Sequence, residues 1–199
     1  MVKCGAVILS RRTFSSLILG SSIAALGGCV SERRQISLEY RGGLLTWPGG
    51  DTCAVCGKGG VRADKREGDG ATPVGTFPLL YGYYRPDRVA APESGLRMTA
   101  LEPNDGWVDD AADPNYNRPV KLPYSGHHEE LWRADGLYDI LVVIGYNTNP
   151  IVPGAGSAIF LHVARPDLNP TEGCIAIGRD VLAGLLPMLA PGSTITIAA

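Results

Sequence analysis

The sequence predicts a mainly antiparallel β domain with one packed helix near its C-terminus. Gly and Pro together make up about a fifth of the 199 residues, and short apolar segments recur between them. Only residues 179–189 place their apolar side chains three and four positions apart, as an amphipathic helix does. The chain therefore offers many short strands and a single helix for its core.

The strand predictions follow from alternation and from β-branched runs. Residues 36–40 alternate apolar and polar side chains, as a strand with one buried face does. Residues 138–146 are a nearly continuous apolar and β-branched run, which predicts a central strand. The other predicted strands are residues 44–47, 52–56, 77–84, 157–162, 174–177 and 193–197.

Two long segments between these strands lack a regular pattern. Residues 62–76 are polar and glycine-rich, and a loop of that length in a compact domain is usually functional or disordered. Residues 85–124 contain six prolines, so we expect them to run over the surface as irregular chain. The predicted helix ends where Pro191 and Gly192 follow it.

Length and charge limit the number of domains and the class of partner. Without an N-terminal leader about 165 residues remain, which suffices for one domain with a hydrophobic core. The formal net charge is −2, from 18 basic and 20 acidic residues, and no basic stripe stands out. We therefore expect no nucleic-acid partner.

The N-terminus has the pattern of a targeting segment. Residues 10–14 (SRRTF) form a twin-arginine motif, and the apolar stretch 17–26 is too short to remain as a transmembrane helix. Residues 26–29 (LGGC) resemble a lipobox, in which Cys29 carries the lipid. An ordinary signal peptide, cleaved near small residues and without lipid, is the alternative.

These signals predict how the chain is divided. We expect residues 1–29 to be a signal peptide, residues 30–35 a polar tether, and residues 36–199 the folded domain. The protein is predicted to be exported to the periplasm or cell envelope. A lipidated Cys29 would tether it to the membrane.

Three cysteines fall in the predicted domain. Cys53 and Cys56 lie close in sequence, and an exported protein meets oxidising surroundings, so we expect a structural disulfide or two buried thiols. A redox motif would need a helix start that lowers the thiol pKa, and residues 57–60 (GKGG) are a poor helix start. Cys174 is the odd cysteine, which makes it the candidate reactive thiol.

The segment 157–177 (SAIFLHVARPDLNPTEGCIAI) brings a histidine and a cysteine to the ends of two predicted strands. The thiolate is the nucleophilic form of cysteine, and a neighbouring imidazole can take the thiol proton. Gly173 permits backbone geometry that a larger residue resists, and leaves room for N–H groups to face an oxyanion. His162 and Cys174 are thus a candidate base and nucleophile. The alternative is a buried, inert cysteine beside a structural histidine.

Residues 127–130 (HHEE) suggest a metal site but do not fit one. Adjacent residues on a strand point to opposite faces, so His127 and His128 cannot easily share one ion. The H-E-x-x-H spacing is also absent, because residue 132 is Trp. His128 is instead a candidate lining residue of a cleft, and we expect no metal ion and no cofactor.

Several of these motifs resemble the L,D-transpeptidase catalytic domain of the YkuD type. That family carries a His upstream of a Ser/Thr-His-Gly-Cys motif, and Thr171, Gly173 and Cys174 match three positions of it. The run GDGATPVGTF at residues 68–77 resembles a Thr-Pro-x-Gly segment of the same family. The resemblance covers roughly residues 36–199, the whole predicted domain.

Two departures from the family pattern concern substrate recognition. Glu172 stands where better-known members have His, and Ala176 stands where they have an Arg thought to bind a substrate carboxylate. Arg165 and Arg179 are candidate replacements for that arginine. Arg165 is favoured because it lies between the histidine and the cysteine in sequence.

The resemblance implies a β-sandwich or barrel with one packed C-terminal helix, and a Cys–His acyl-transfer site without a metal ion. Cys174 would be the nucleophile and His162 the general base. The carbonyl of Val163 would orient the imidazole, and the N–H groups of Gly173 and Cys174 would bind the oxyanion. The candidate substrate-binding residues are His128, Arg165, Thr171 and Glu172.

The implied function is that of a peptidoglycan L,D-transpeptidase, which acts on stem peptides through a thioester acyl-enzyme. Two alternatives stay open. One is a carboxypeptidase or amidase that hydrolyses cell-wall peptide bonds with the same Cys–His pair. The other is an inactive module that binds the cell envelope, because a fold alone does not confer activity.

Overall fold

The computed structural model describes residues 34–199, which form a mainly β domain. The predicted fold class and the helix near the C-terminus are confirmed. The predicted signal peptide, the lipidated Cys29 and most of the tether lie outside the described residues. In the described part of the chain, no helix is long and apolar enough to span a membrane.

The secondary structure follows the predicted order. The first strands are β1 (Ser37–Arg41), β2 (Leu44–Trp47), β3 (Gly50–Val55), β4 (Val61–Arg62), β5 (Thr72–Pro73), β6 (Gly75–Tyr84) and β7 (Met98–Ala100). The next are β8 (Asp105–Val108), β9 (Pro119–Lys121), β10 (His128–Glu130), β11 (Ile140–Ile144), β12 (Phe160–Val163) and β13 (Ile175–Ile177). Helix α1 (Arg179–Leu185), a 3-10 turn (Leu186–Met188) and β14 (Thr194–Ala198) complete the chain.

Eight strands close into a barrel. Their order is β11-β12-β13-β3-β2-β1-β14-β6, and β6 pairs again with β11. Strand β6 closes the ring because its first residues, 75–78, pair with β14, whereas residues 79–84 pair with β11. Eight of the twelve strand pairings are antiparallel, and β12 and β13 form one of the parallel pairs.

Strand β12 separates two hydrophobic clusters. Leu161 and Val163 point into the main core together with the apolar face of α1. Phe160 points to the opposite face, where it packs in a second cluster with Trp107 and Tyr138. Because side chains alternate along a strand, His162 lies on the same face as Phe160. The sequence thus places the histidine outside the barrel, against this second cluster.

The predictions differ from the structure at the helix and in both segments predicted to lack a regular pattern. Residues 62–76 contain β5, the end of β4 and the start of β6. The helix ends after Leu185, because Pro187 cannot donate to the carbonyl four residues before it, and a 3-10 turn follows. Residues 85–124, predicted to be irregular, contain β7, β8 and β9. Strands β10, β8 and β9 form a small sheet, and Trp107 on β8 covers the second cluster.

Cys53 and Cys56 form neither the mutual disulfide nor the two buried thiols that were expected. Cys56 is a half-buried free thiol, whereas Cys53 is disulfide-bonded. Cys53 lies in β3 and Cys56 directly follows it, with only Ala54 and Val55 between them, so the two side chains point to opposite faces. Two cysteines three positions apart in extended chain are therefore too far apart to form a disulfide with each other.

Candidate active site

Cys174 and His162 come together on the outer face of the barrel. Cys174 directly precedes β13, His162 lies in β12, and these two strands pair in parallel with His162 opposite Ala176. Both side chains are almost fully buried, with 7% of Cys174 and 4% of His162 exposed. They nevertheless line one cavity of about 480 Å³ that opens to the surface. The predicted nucleophile and base therefore share a site that a ligand can enter.

The Cys174 thiol is held by backbone groups. It donates to the carbonyl oxygen of Ala158 at 3.2 Å, and the N–H of Phe160 donates to Sγ at 3.3 Å. Burial, and next the charge of Glu129, raise the pKa of Cys174 to about 12. The thiol is therefore protonated at neutral pH in the unliganded protein.

The His162 ring is fixed from two sides. Its Nδ1 lies 2.9 Å from the carbonyl oxygen of Val163, and its ring meets Tyr138 edge to face at 5.3 Å between centroids. Burial lowers the pKa of His162 to about 4, so the imidazole is neutral at pH 7. Within residues 34–199 no hydrogen bond joins His162 to Cys174. The resting pair is a neutral thiol beside a neutral imidazole.

The turn before Cys174 has a conformation that requires glycine. Gly173 has φ +146°, and a Cβ added there would lie 2.9 Å from the carbonyl oxygen of Ala71. Thr171 Oγ1 donates to the carbonyl oxygen of Cys174 at 2.6 Å and accepts from the N–H of Gly173 at 3.1 Å. The Gly173 N–H, predicted to bind an oxyanion, is thus already engaged in the unliganded site.

The polar loop of residues 62–76 lies beneath this turn. Thr72 Oγ1 accepts from the N–H of Gly57 and donates to the carbonyl oxygen of Gly173, both at 2.8 Å. Within the loop, Lys65 Nζ contacts Asp69 Oδ1 at 2.6 Å with both side chains largely buried. The loop is therefore ordered by internal pairing and holds the backbone next to Cys174.

Asn117 positions Ala158, whose carbonyl oxygen accepts the hydrogen bond from the Cys174 thiol. Its Oδ1 accepts from Trp107 Nε1 and from the N–H of Ala158, each at 3.0 Å, and its Nδ2 donates to the carbonyl oxygen of Asn147 at 2.7 Å. The same Ala158 accepts the hydrogen bond from Cys174. Asn117 adopts φ +56°, a conformation that Asn tolerates better than most residues.

The residues predicted to bind substrate all line the cavity. They are His128, Arg165, Thr171 and Glu172. Glu172 forms an exposed ion pair with Lys58 at 2.7 Å. Arg179, the other candidate for the substrate arginine, lies away from this cavity and pairs with Asp139 at 3.4 Å. These positions leave the binding roles of the four residues as predictions.

Three further cavity residues escaped the sequence analysis. Glu129 lies in the HHEE segment but, like Arg133, has no motif that marks it as a binding residue, and Tyr138 begins the predicted strand 138–146. The structure connects them: Tyr138 donates to Glu129 Oε1 at 2.7 Å, and the Arg133 guanidinium lies 5.3 Å from the Tyr138 ring centroid. A histidine–glutamate pair before a Trp gives only a weak sequence signal for such a cluster.

The two histidines of the HHEE segment have different surroundings. His127 contacts Asp109, and His128 Nδ1 lies 2.7 Å from the carbonyl oxygen of Gly126, so the two imidazoles have separate partners. Within residues 34–199 no three His, Cys, Asp or Glu side chains converge as ligands.

Comparison with known proteins gives one family. The family model described as "YkuD: L,D-transpeptidase catalytic domain" matches residues 29–197. A search of curated proteins gave no significant match. Among solved structures, L,D-transpeptidase 1 of Mycobacterium tuberculosis aligns at 13% identity and TM-score 0.39, over 82% of this chain. An L,D-transpeptidase from Mycobacterium smegmatis aligns at 16% identity and TM-score 0.39, over 83% of this chain. This chain covers 59% of the length of each of those two structures.

Proposed function

The chain belongs to the YkuD family of L,D-transpeptidase catalytic domains, and on that premise we propose that it is a cysteine acyltransferase acting on peptidoglycan stem peptides. One observation carries the proposal: Cys174 and His162 are brought by adjacent strands into a single cavity. Export to the cell envelope is part of the same proposal, because its substrate is found there.

The first half-reaction would form a thioester. Cys174 Sγ attacks the carbonyl carbon between the L-centre of diaminopimelate and D-alanine, and His162 takes the thiol proton. The C–N bond then breaks, and the imidazolium gives the proton to the leaving amine of D-alanine. The neutral imidazole of the resting site is the form that can accept this proton.

The second half-reaction would transfer the acyl group. The amine of a second stem peptide attacks the thioester carbon, a C–N bond forms, and the C–S bond breaks. His162 takes the proton from the attacking amine and returns it to Sγ, which restores the neutral pair. When water replaces the amine, the same steps give a hydrolase.

The raised pKa of Cys174 favours a competing candidate, the inactive envelope-binding module. A thiol with a pKa of about 12 is a weak nucleophile until something shifts its proton. Substrate must therefore bring His162 and the thiol into proton-transfer contact if the enzyme is to act. The inactive module requires no such shift.

The test is a product assay with the full-length protein. A diaminopimelate stem tetrapeptide is supplied with and without a second stem peptide as amine acceptor, beside the Cys174→Ala and His162→Gln variants. We expect D-alanine release and a cross-linked peptide with the wild type, and neither product with the variants. Release of D-alanine together with free tripeptide, and with no cross-linked peptide even when the acceptor is present, would indicate a carboxypeptidase. Intact substrate in all reactions would favour the binding module.

A further inference from the structure

Two opposite charges lie side by side in the cavity that holds Cys174. Glu129 lies in β10 and Arg133 follows it by four residues, and both line the cavity. Their side chains are 26% and 31% exposed, and Glu129 Oε1 lies 3.5 Å from Arg133 Nη1. That separation is long for a charge-assisted hydrogen bond. The pair is therefore adjacent but weakly joined.

Each partner keeps unused hydrogen-bonding capacity. Arg133 uses Nε and Nη2 on Asp135, with 2.6 Å between Nη2 and Oδ2, which leaves Nη1 with only the long contact to Glu129. Glu129 Oε1 accepts from Tyr138, whereas within residues 34–199 its Oε2 receives no hydrogen bond. One guanidinium nitrogen and one carboxylate oxygen are thus available to a ligand.

From this arrangement we propose that Glu129 and Arg133 form a subsite for an amino-acid zwitterion, in which one carbon bears both an ammonium and a carboxylate. The inference rests on the proposed function, because the D-centre of diaminopimelate in a stem peptide is such a group. Glu129 Oε2 would accept from the ammonium, and Arg133 Nη1 would donate to the carboxylate. A ligand that carries both an ammonium and a carboxylate compensates the charge of each of these partly buried side chains.

The subsite would also act on the nucleophile. The Glu129 charge is one cause of the raised pKa of Cys174, second to burial. A ligand ammonium beside Glu129 offsets that charge, so occupation of the subsite lowers the pKa of the thiol. Binding of the correct substrate would therefore favour the proton transfer that the resting site does not make.

Ligand binding to the full-length Cys174→Ala protein tests the subsite without requiring turnover. Three stem tetrapeptides are compared by calorimetry: unmodified diaminopimelate, its D-centre carboxylate amidated, and its D-centre amine acetylated. We expect each modification to weaken binding about tenfold or more, because one charged hydrogen bond is lost. Equal dissociation constants for the three peptides would overturn the proposal, and this comparison needs no second substitution.

Second-site variants then assign each charge. In the Cys174→Ala background, Glu129→Gln should bind the acetylated peptide as well as the unmodified one, and should still bind the amidated peptide more weakly. Arg133→Gln should bind the amidated peptide as well as the unmodified one, and should still bind the acetylated peptide more weakly. Glu130→Gln, at the adjacent position on β10, is the matched control and should keep both. Loss of both discriminations in every variant, or retention of both in every variant, would overturn the assignment.

The outcome is separable from that of the proposed function. Acylation of Cys174 by the unmodified peptide is followed in the wild type by intact mass. If no acylation occurs but the charge discrimination holds, the subsite stands and the transferase proposal fails. If acylation occurs with no discrimination, the transferase stands and the subsite fails.

Discussion

The Thr72 hydroxyl donates to the carbonyl oxygen of Gly173 at 2.8 Å, across 101 positions of sequence. Thr72 Oγ1 also accepts from the N–H of Gly57, so one buried side chain joins the polar loop, the segment after β3 and the turn before Cys174. Thr72 thus holds the backbone just before Cys174, and the Cys174 thiol donates to the carbonyl oxygen of Ala158.

Replacing Thr72 tests this support. Thr72→Val keeps the side-chain volume but leaves the Gly57 N–H and the Gly173 carbonyl unpaired, so we expect a loss of about 2–4 kcal/mol in unfolding free energy. Thr72→Ser keeps the hydroxyl and should lose only about 1 kcal/mol, for one buried methyl group. Urea denaturation of both variants measures the difference. Equal losses would mean that the hydrogen bonds contribute nothing beyond packing.

Gly173 should tolerate no side chain. Gly173→Ala forces a residue with a Cβ into φ +146° and against the carbonyl oxygen of Ala71, so we expect a loss of about 1–3 kcal/mol from backbone strain alone. Gly184→Ala in α1 is the matched control, because nothing lies within 4 Å of its Cβ position. That variant should gain about 0.5–1 kcal/mol. Thermal unfolding of the pair checks both signs, and a neutral Gly173→Ala would contradict the account.

The buried imidazole predicts a pH dependence of stability. The pKa of His162 is lowered to about 4, below its unfolded value of 6.5, so below pH 6.5 the unfolded chain binds a proton that the folded protein does not. The contribution of His162 is full above pH 6.5 and is lost as the pH falls toward 4. The loss approaches about 3 kcal/mol. Urea unfolding of wild type and His162→Gln at pH 4.5, 5.5 and 7.5 should show the two curves converge as the pH falls.

His127 provides a control of opposite sign. Its contact with Asp109 raises the pKa of this exposed histidine, so its contribution is present at low pH and is lost as the pH rises through that value. Any effect of His127→Gln should therefore diminish at pH 7.5, where that of His162→Gln is largest. Parallel curves for wild type and His162→Gln over the whole range would contradict a buried, neutral His162.

The regular parts of the fold could be predicted from the sequence because each carries a local pattern. Alternation and β-branched runs located β1, β2, β6, β11 and β12, and the periodicity of α1 located the helix. The small sheet of β8, β9 and β10 could not be predicted, because its strands have three or four residues each and lie among prolines and charges. Its stability comes from tertiary contacts such as Trp107 against Phe160, with ring centroids 5.1 Å apart.

The candidate site was predicted only where a motif marks it. Cys174 and His162 follow from the end of a strand, a glycine and a resemblance to one family, and the structure brings them into one cavity. The Glu129–Arg133 pair could not be predicted, because charged residues are usually exposed and here the fold partly buries both side chains. That Cys53 is disulfide-bonded while Cys56 is a free thiol could not be predicted either, because a disulfide depends on which thiols the fold brings together.

Covalent labelling with a carbapenem tests most directly that Cys174 is an acylatable nucleophile. The full-length protein is incubated with the β-lactam at neutral pH, and intact mass and peptide mapping locate the adduct in wild type, Cys174→Ala and Cys56→Ala. Cys56 is the matched control because it is the other free thiol in the described part of the chain. We predict one adduct per molecule, mapped to Cys174, retained in Cys56→Ala and lost in Cys174→Ala. An unmodified Cys174, or an adduct that persists in Cys174→Ala, would contradict the account.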